Sequence, residues 1–247
     1  MLLGCRGAHA LDINAYRLLE QPIAPQPYAE PGTRIWMNAL QFVGSRTVIP
    51  LSRSKTWPPP EPRQYGFSPR SLRINWLDRG HLLHIEWGTL PTGGDNNFAW
   101  EGHVVLLVDG DRLHEIFRTV FQQYGRVGAG NDEYTRLRIA YDARRARLRF
   151  TELDEGSISE RELFYQWNHR TVWQYRLRGR RLQFLRADQY AIVATERCSL
   201  AELARTLEVP QARLERLNPH FAPRAVCEVR IDDRVKALRP SHEDGIE

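Results

Sequence analysis

The chain has few lysines and no long apolar run. Only Lys55 and Lys236 are lysines among 35 basic residues, and the formal net charge is +5. Acidic and basic residues are mostly interleaved, and residues 176–186 form the one acid-free basic run, so the single-sign stripe of a nucleic-acid interface is missing. No stretch approaches the roughly 18 consecutive apolar residues that a membrane-spanning helix needs. The sequence therefore predicts a globular protein without a transmembrane span and without a nucleic-acid partner.

The sequence also lacks the short motifs of common catalytic and metal sites. It contains no HExxH, no G-x-S-x-G and no P-loop. Its three cysteines, Cys5, Cys198 and Cys227, form no CxxC and no Cys/His metal spacing. We accordingly assign no catalytic residue, and we predict no metal and no cofactor.

The first ten residues have features of an export signal. Residues 8–10, Ala-His-Ala, have the small-x-small form of a signal-peptidase site, and residues 2–5, Leu-Leu-Gly-Cys, resemble a bacterial lipobox. In the second case Cys5 would carry the lipid. Both interpretations predict a protein of the bacterial periplasm or cell envelope, and a chance run at the N-terminus of a cytosolic protein is the alternative.

The next part of the chain, residues 11–35, is rich in proline. Pro22, Pro25, Pro27 and Pro31 each lack a backbone donor, so residues 11–35 are expected to be irregular and residues 1–30 to form a leader. A second break at residues 57–62, Trp-Pro-Pro-Pro-Glu-Pro, predicts an extended loop.

From Ser71 onward apolar residues alternate with polar ones, which is the period of a half-buried strand. Turn signals such as Asp109-Gly110 separate the alternating segments. The pattern predicts four hairpins, formed by residues 72–76 with 81–90, 103–108 with 112–119, 136–141 with 147–151, and 172–177 with 181–185. Four successive hairpins predict an antiparallel β domain over residues 31–188, as a sandwich or a barrel.

The pattern changes again near Asp188. Residues 190–194 read as a strand, and Leu200, Leu203, Ala204 and Leu207 then recur at helical spacing. Ser199 and Glu202 have the spacing of a capping box at the start of this helix. A second short helix follows Pro210 and ends at residues 218–219, Asn-Pro, and residues 226–238 can return as a strand. We predict a small α+β domain of order strand, helix, helix, strand over residues 189–238, and a polar tail over residues 239–247.

This C-terminal segment resembles a LysM domain. The residues that carry the resemblance are Ile192-Val193-Ala194, Ser199-Leu200-Ala201-Glu202-Leu203-Ala204, Leu207-Glu208-Val209, Leu214 and Leu217-Asn218-Pro219. The resemblance implies a βααβ module that binds glycans containing N-acetylglucosamine, such as peptidoglycan. It implies a groove formed by Arg197, Cys198, Ser199 and Leu200 on one side and by Asn218, Pro219, His220 and Phe221 on the other. The family usually has Gly-Asp-Thr-Leu where this chain has Arg-Cys-Ser-Leu.

The two cysteines of this segment permit two interpretations. Cys198 and Cys227 could form a disulfide in an oxidising compartment, or they could be two small buried apolar residues. The sequence does not choose between them.

Three groups of residues in the β domain are candidates for chemistry. His84 and Glu86 share a strand face, with His81 nearby, but two groups do not make a catalytic site. Paired carboxylates for glycoside cleavage could come from a polar loop containing Glu152, Asp154, Glu155, Glu160 and Glu162. Sugar rings could stack on Trp76, Trp87 or Trp100. The simpler interpretation is a set of surface and core side chains in each case.

The sequence as a whole predicts a non-catalytic cell-envelope protein. Its β domain would bind a ligand or a protein partner, and its LysM-like segment would associate with peptidoglycan. The alternatives are a cell-wall hydrolase with catalysis in the β domain and a protein-contact subunit of an envelope assembly.

Overall fold

The computed structural model describes residues 11–23, 35–51, 67–89, 96–127, 132–160, 163–194 and 198–238. Within these ranges the protein is rich in β-structure, with twelve strands, two α-helices and one 3-10 turn. The chain divides into two compact units. The first contains residues 1–92, 99–121 and 239–247, and the second contains residues 93–98 and 122–238. A mostly antiparallel β-fold is therefore confirmed.

Seven strands lie wholly or mostly in the first unit, and residues 96–98 of the sixth and 122–127 of the seventh belong to the second unit. They are β1 (Tyr16–Ile23), β2 (Ile35–Phe42), β3 (Val48–Pro50), β4 (Phe67–Asp78), β5 (Leu82–Thr89), β6 (Asn96–Asp109) and β7 (Arg112–Val127). Strands β1, β2 and β3 form one antiparallel sheet in that order. Strands β4 to β7 are hydrogen-bonded neighbours in chain order, which confirms the first two predicted hairpins.

The core of the first unit is built from both sheets. Alternate residues of β5 and β6 supply one side, because successive side chains of a strand point to opposite faces. The buried members are Leu40, Phe42, Ile49, Leu51, Leu83, Ile85, Trp87, Val104, Leu106 and Leu113. Trp76 packs against this cluster, so the interpretation of Trp76 and Trp87 as core residues is confirmed, while the Trp100 side chain lies outside the described residues. The remaining positions of β5 and β6, among them His84 and Glu86, occupy the opposite face.

The prediction of an irregular leader over residues 11–35 was wrong in part. Residues 16–23 form β1, whose Pro22 stands opposite Trp36 of β2. Strand β1 is an outer strand of its three-stranded sheet, and an outer strand tolerates proline because its second edge needs no ladder donor. Residues 1–10, which include Cys5, residues 24–34 and the proline-rich loop at residues 57–62 lie outside the described residues.

The second unit also contains antiparallel strands. Its elements are β8 (Asp132–Asp142), β9 (Arg147–Glu160), β10 (Leu163–Arg178), β11 (Arg181–Ala194), α1 (Leu200–Thr206), α2 (Gln211–Leu217) and β12 (Val226–Asp232). The last two predicted hairpins are confirmed by the pairing of β8 with β9 and of β10 with β11. The polar loop predicted around residues 152–162 was wrong, since β9 continues to Glu160 and pairs there with β10.

The end of the second unit has the order strand, helix, helix, strand. Strand β12 pairs antiparallel with residues 189–194 of β11, and the two helices lie between them in the chain. The helix start predicted at Leu200 is confirmed, because Ser199 accepts a hydrogen bond from the backbone N–H of Glu202 at 3.2 Å. No helix among the described residues is long and apolar enough to cross a membrane.

The strand predicted over residues 226–238 ends earlier, at Asp232. Beyond it the chain is held by two side chains of β10. Trp173 donates its indole N–H to the carbonyl of Lys236 at 2.9 Å, and the Tyr175 hydroxyl donates to the carbonyl of Leu238 at 2.6 Å. Burial of these two aromatic residues therefore leaves their polar ends hydrogen-bonded.

We predict that Gly102→Ala destabilises the first unit. Gly102 stands directly opposite Trp87, and a Cβ atom at this position would lie 2.2 Å from two atoms of the indole ring. Overpacking of this kind costs about 1–3 kcal/mol in the free energy of unfolding, measured by denaturant titration. The loss should shrink in a Trp87→Leu background, because the smaller side chain vacates the space. Equal losses in both backgrounds would contradict the steric explanation.

Candidate functional site

A surface pocket of about 430 Å³ follows helix α2 in the second unit. It is lined by residues 217–222, Arg224 and residues 226–228. The pocket thus lies between the loop that leaves α2 and the beginning of β12. Four of the eight residues predicted for the glycan groove, Asn218, Pro219, His220 and Phe221, line it.

The other predicted groove residues have different positions. Arg197 lies outside the described residues. Cys198 is buried, and a disulfide joins it to Cys227, with the two Cα atoms 6.4 Å apart. Cys227 lines the pocket, whereas Cys198 does not. Ser199 caps α1, and Leu200 packs against the small core beside the disulfide. None of Cys198, Ser199 and Leu200 lines the pocket itself.

That small core holds the two helices against the strands. Its buried members are Ala191, Cys198, Leu203, Ala204, Leu214, Cys227 and Val229, and Phe221 packs on its border. Burial of these apolar side chains contributes about 25 cal/mol per Å² of surface removed from water. The disulfide additionally closes a loop across a sequence separation of 29 residues. Apolar burial and the disulfide therefore hold the residues beside the pocket in place.

Asn218 has a structural role that its sequence position does not reveal. Its side-chain amide donates to the carbonyls of Leu214 at 2.8 Å and Arg230 at 2.9 Å, and its oxygen accepts from the Arg230 N–H at 2.8 Å. Both amide hydrogens are consequently used inside the protein. Asn218 fastens the end of α2 to β12, and the exposed groups left for a ligand are those of its neighbours.

The polar groups at the pocket are of both signs. His220 and Arg224 are exposed, and Glu228 is held by an ion pair with Arg170, whose guanidinium also lies 4.3 Å from the centre of the Tyr190 ring. Phe221 adds a half-buried aromatic side chain. Hydrogen-bonding groups beside an aromatic ring are suited to a neutral polyhydroxyl ligand such as a sugar.

The acidic residues of β9 form a second candidate in the same unit. Glu152 and Asp154 lie on one face of β9, and Thr135 donates to Asp154 at 3.5 Å. Burial, with a smaller contribution from the charge of Asp154, raises the pKa of Glu152 to about 7. Glu155 points to the other face and lines a separate pocket of about 530 Å³ with Asn168 and His169. The side chains of Glu160 and Glu162 lie outside the described residues.

A third cluster lies in the first unit, on the face of β5 and β6 opposite the core. His84 and His103 are buried, and their nearly parallel rings meet edge to edge, with centroids 5.2 Å apart and planes 7° apart. His84 Nε2 lies 3.0 Å from His103 Nδ1, and His103 Nε2 lies 2.6 Å from a carboxylate oxygen of Glu101. Burial lowers the pKa of His84 to about 3, with a further contribution from the charge of His103, so the ring is neutral near pH 7.

His84 and Glu86 are candidates from the sequence alone, whereas Glu101 and His103 are not. Glu86 stands opposite His103 in the register of the hairpin, so each strand contributes two residues at i and i+2 to one face. The signal was present as His-x-Glu on one strand and Glu-x-His on the next. Only the pairing register of β5 and β6 brings these two motifs together. His81, which was considered with them, is exposed and lies beside Asp78.

Comparison with known proteins identifies no relative, since no family model, no curated protein and no solved structure matches the chain.

We predict that Asn218→Asp destabilises the second unit by about 1–3 kcal/mol, the usual cost of leaving buried polar groups unpaired. The change keeps the shape of the side chain but replaces the donors to Leu214 and Arg230 by an oxygen. Denaturant titration measures the loss. Gln183→Glu, the same chemical change at an exposed position of β11, is the control and should leave the midpoint nearly unchanged. Equal effects of the two changes would contradict the role of Asn218.

We predict that Glu152→Gln stabilises the protein above about pH 7. The folded pKa of Glu152 lies above its ordinary value of 4.5, so the unfolded chain releases this proton first as the pH rises. Stability therefore decreases between about pH 4.5 and pH 7, and Gln removes this decrease. Free energies of unfolding of the wild type and of Glu152→Gln, measured at pH 4, 6 and 8, test this prediction. Glu155→Gln, which changes an exposed carboxylate on the other face, is the control. A wild-type profile that rises over this pH interval as steeply as that of Glu152→Gln would refute the assignment.

Proposed function

We propose that the protein is a non-catalytic component of a bacterial cell envelope and that the segment from β11 to β12 is a LysM-like module that binds N-acetylglucosamine-containing glycan. The observation that carries the proposal is the pocket beside β12, which is lined by the same four residues, Asn218 to Phe221, that the family resemblance places in its groove. The order strand, helix, helix, strand and the pairing of β12 with β11 support it.

The disulfide supports the proposed location. A bond between Cys198 and Cys227 persists in oxidising compartments such as the periplasm and is rare in the cytosol. The lipobox-like and small-x-small sequences before residue 11 point to the same compartment. Peptidoglycan is the glycan of this kind that an envelope protein encounters.

For the first unit we propose a β-sandwich that serves as a ligand- or partner-binding body. Its core receives side chains from the sheet of β1 to β3 and from the sheet of β5 to β7, as in two sheets packed face to face. The module would then attach this body to the cell wall.

The test is binding of the full-length protein to a soluble tetramer of N-acetylglucosamine, followed by calorimetry, and to purified peptidoglycan, followed by co-sedimentation. A double change, His220→Ala with Arg224→Ala, alters two exposed lining residues and should weaken glycan binding at least tenfold. Deleting residues 189–238 is a poorer test, because the deletion would cut β11.

The matched control is Arg205→Ala, an exposed arginine of α1 that does not line the pocket. It should bind glycan like the wild type. Absence of binding by the wild-type protein, or equal binding by the double variant, would refute the glycan proposal. Release of soluble fragments from peptidoglycan would instead favour a hydrolase, and co-purification of a protein partner without glycan binding would favour a contact subunit.

A further inference from the structure

The cluster on the face of β5 and β6 opposite to Trp87 has the composition of a metal site. It places two imidazole rings, from His84 and His103, next to the carboxylate of Glu86. One ligand atom from each residue lies within 4.8 Å of the other two. His103 is fully buried and His84 is 6% exposed, whereas the Glu86 side chain is 21% exposed and marks the side from which an ion could enter.

The hydrogen bonds of the cluster determine which nitrogen atoms can bind an ion. Glu101 is acceptor-only when ionised, so His103 donates its Nε2–H to that carboxylate at 2.6 Å. In the neutral ring the lone pair then belongs to Nδ1, which faces Nε2 of His84 at 3.0 Å. A carboxylate that receives the second N–H of a histidine is the usual outer partner of a metal-bound imidazole, because it fixes the tautomer and increases the basicity of the ring.

We propose that His84 Nε2, His103 Nδ1 and the Glu86 carboxylate bind a divalent transition-metal ion of the zinc type, with Glu101 as the positioning residue for His103. Two imidazoles and one carboxylate are a ligand set used for zinc, whereas calcium and magnesium prefer oxygen ligands alone. Three protein ligands leave a fourth position for water.

The distances are close to those that a tetrahedral ion requires. With metal–nitrogen bonds of about 2.0–2.1 Å, two nitrogen ligands lie roughly 3.3 Å apart. The two ring nitrogens lie 3.0 Å apart and face each other, so on binding they must separate by a few tenths of an ångström and both rings must turn toward the ion. Binding also requires His84 to move its proton from Nε2 to Nδ1, which exchanges one neutral tautomer for the other.

The charges around the cluster favour a cation. Glu86 and Glu101 bring two carboxylates to the same face of the paired strands β5 and β6. Arg73 partly balances them, with Nη1 3.2 Å from Glu86 Oε1, but its side chain is 69% exposed. An arginine of this exposure can turn into solvent when an ion takes the carboxylate.

The test is titration of the full-length protein, first freed of metal with a chelator, with zinc chloride by calorimetry. We expect one zinc ion per chain, and at least a tenfold loss of affinity in Glu86→Gln and in His84→Asn. Glu101→Gln should lose about 10–100-fold, the usual effect of an outer partner. His81→Asn removes an exposed histidine from the turn between β4 and β5 and should bind zinc like the wild type.

Thermal unfolding with and without zinc gives a second measurement, because an ion that binds only the folded protein raises its midpoint. The rise should occur in the wild type and in His81→Asn and be reduced in Glu86→Gln. Circular dichroism reports whether each variant folds. If His84→Asn does not fold, Glu86→Gln decides, because its partly exposed side chain is the easiest of the three ligands to replace. Absence of stoichiometric zinc in the wild type, or equal affinity in Glu86→Gln, would overturn the proposal. The glycan experiment uses different residues, so either result can fail alone.

Discussion

The pairing of β12 with the last six residues of β11 is the constraint on which the candidate glycan site depends. Residues 189–194 of β11 pair with β10 on one side as far as Ala191 and with β12 on the other. Strand β12 returns to β11 after two helices, so both helices must fit between two fixed strand ends. The disulfide and the amide of Asn218 fasten this return at separate points. The pocket is the space that remains between the end of α2 and β12.

The pairing of β5 with β6 is equally important for the cluster of His84, Glu86, Glu101 and His103. Trp87 lies across Gly102, where the absence of a side chain leaves room for the indole ring. A shift of one residue in the pairing of β5 and β6 would turn the core side chains of one strand to the opposite face. The observed register instead sends Ile85 and Val104 into the core and keeps Glu86 beside His103 on the other face. The burial of apolar residues on one side therefore determines which polar residues meet on the other.

Much of this architecture could be predicted from local signals. Period-two alternation located the hairpins, and the capping residue Ser199 located the start of α1. Strand β1 was missed because Pro22 suggests irregular chain unless its position on the outer strand of a sheet is known. The polar segment after Glu152 predicts a loop because it is rich in charged residues, and only its pairing with β10 reveals a strand.

Local sequence patterns also fail to predict which single residues meet in the candidate sites. Glu101 and His103 became candidates only when the register placed them beside His84 and Glu86. Asn218 was predicted to bind glycan, yet its amide is used by backbone groups of Leu214 and Arg230, which are far apart from each other in the chain. Local sequence patterns predict the elements well, and they do not predict contacts that depend on how distant elements meet.

Backbone NMR of the full-length protein tests most directly whether the pocket beside β12 receives glycan. Titration with a soluble tetramer of N-acetylglucosamine should move the amide signals of residues 218–228 in a saturable manner and leave those of β5 and β6 in place. Saturable shifts confined to other parts of the chain, or no shifts at millimolar glycan, would contradict the account.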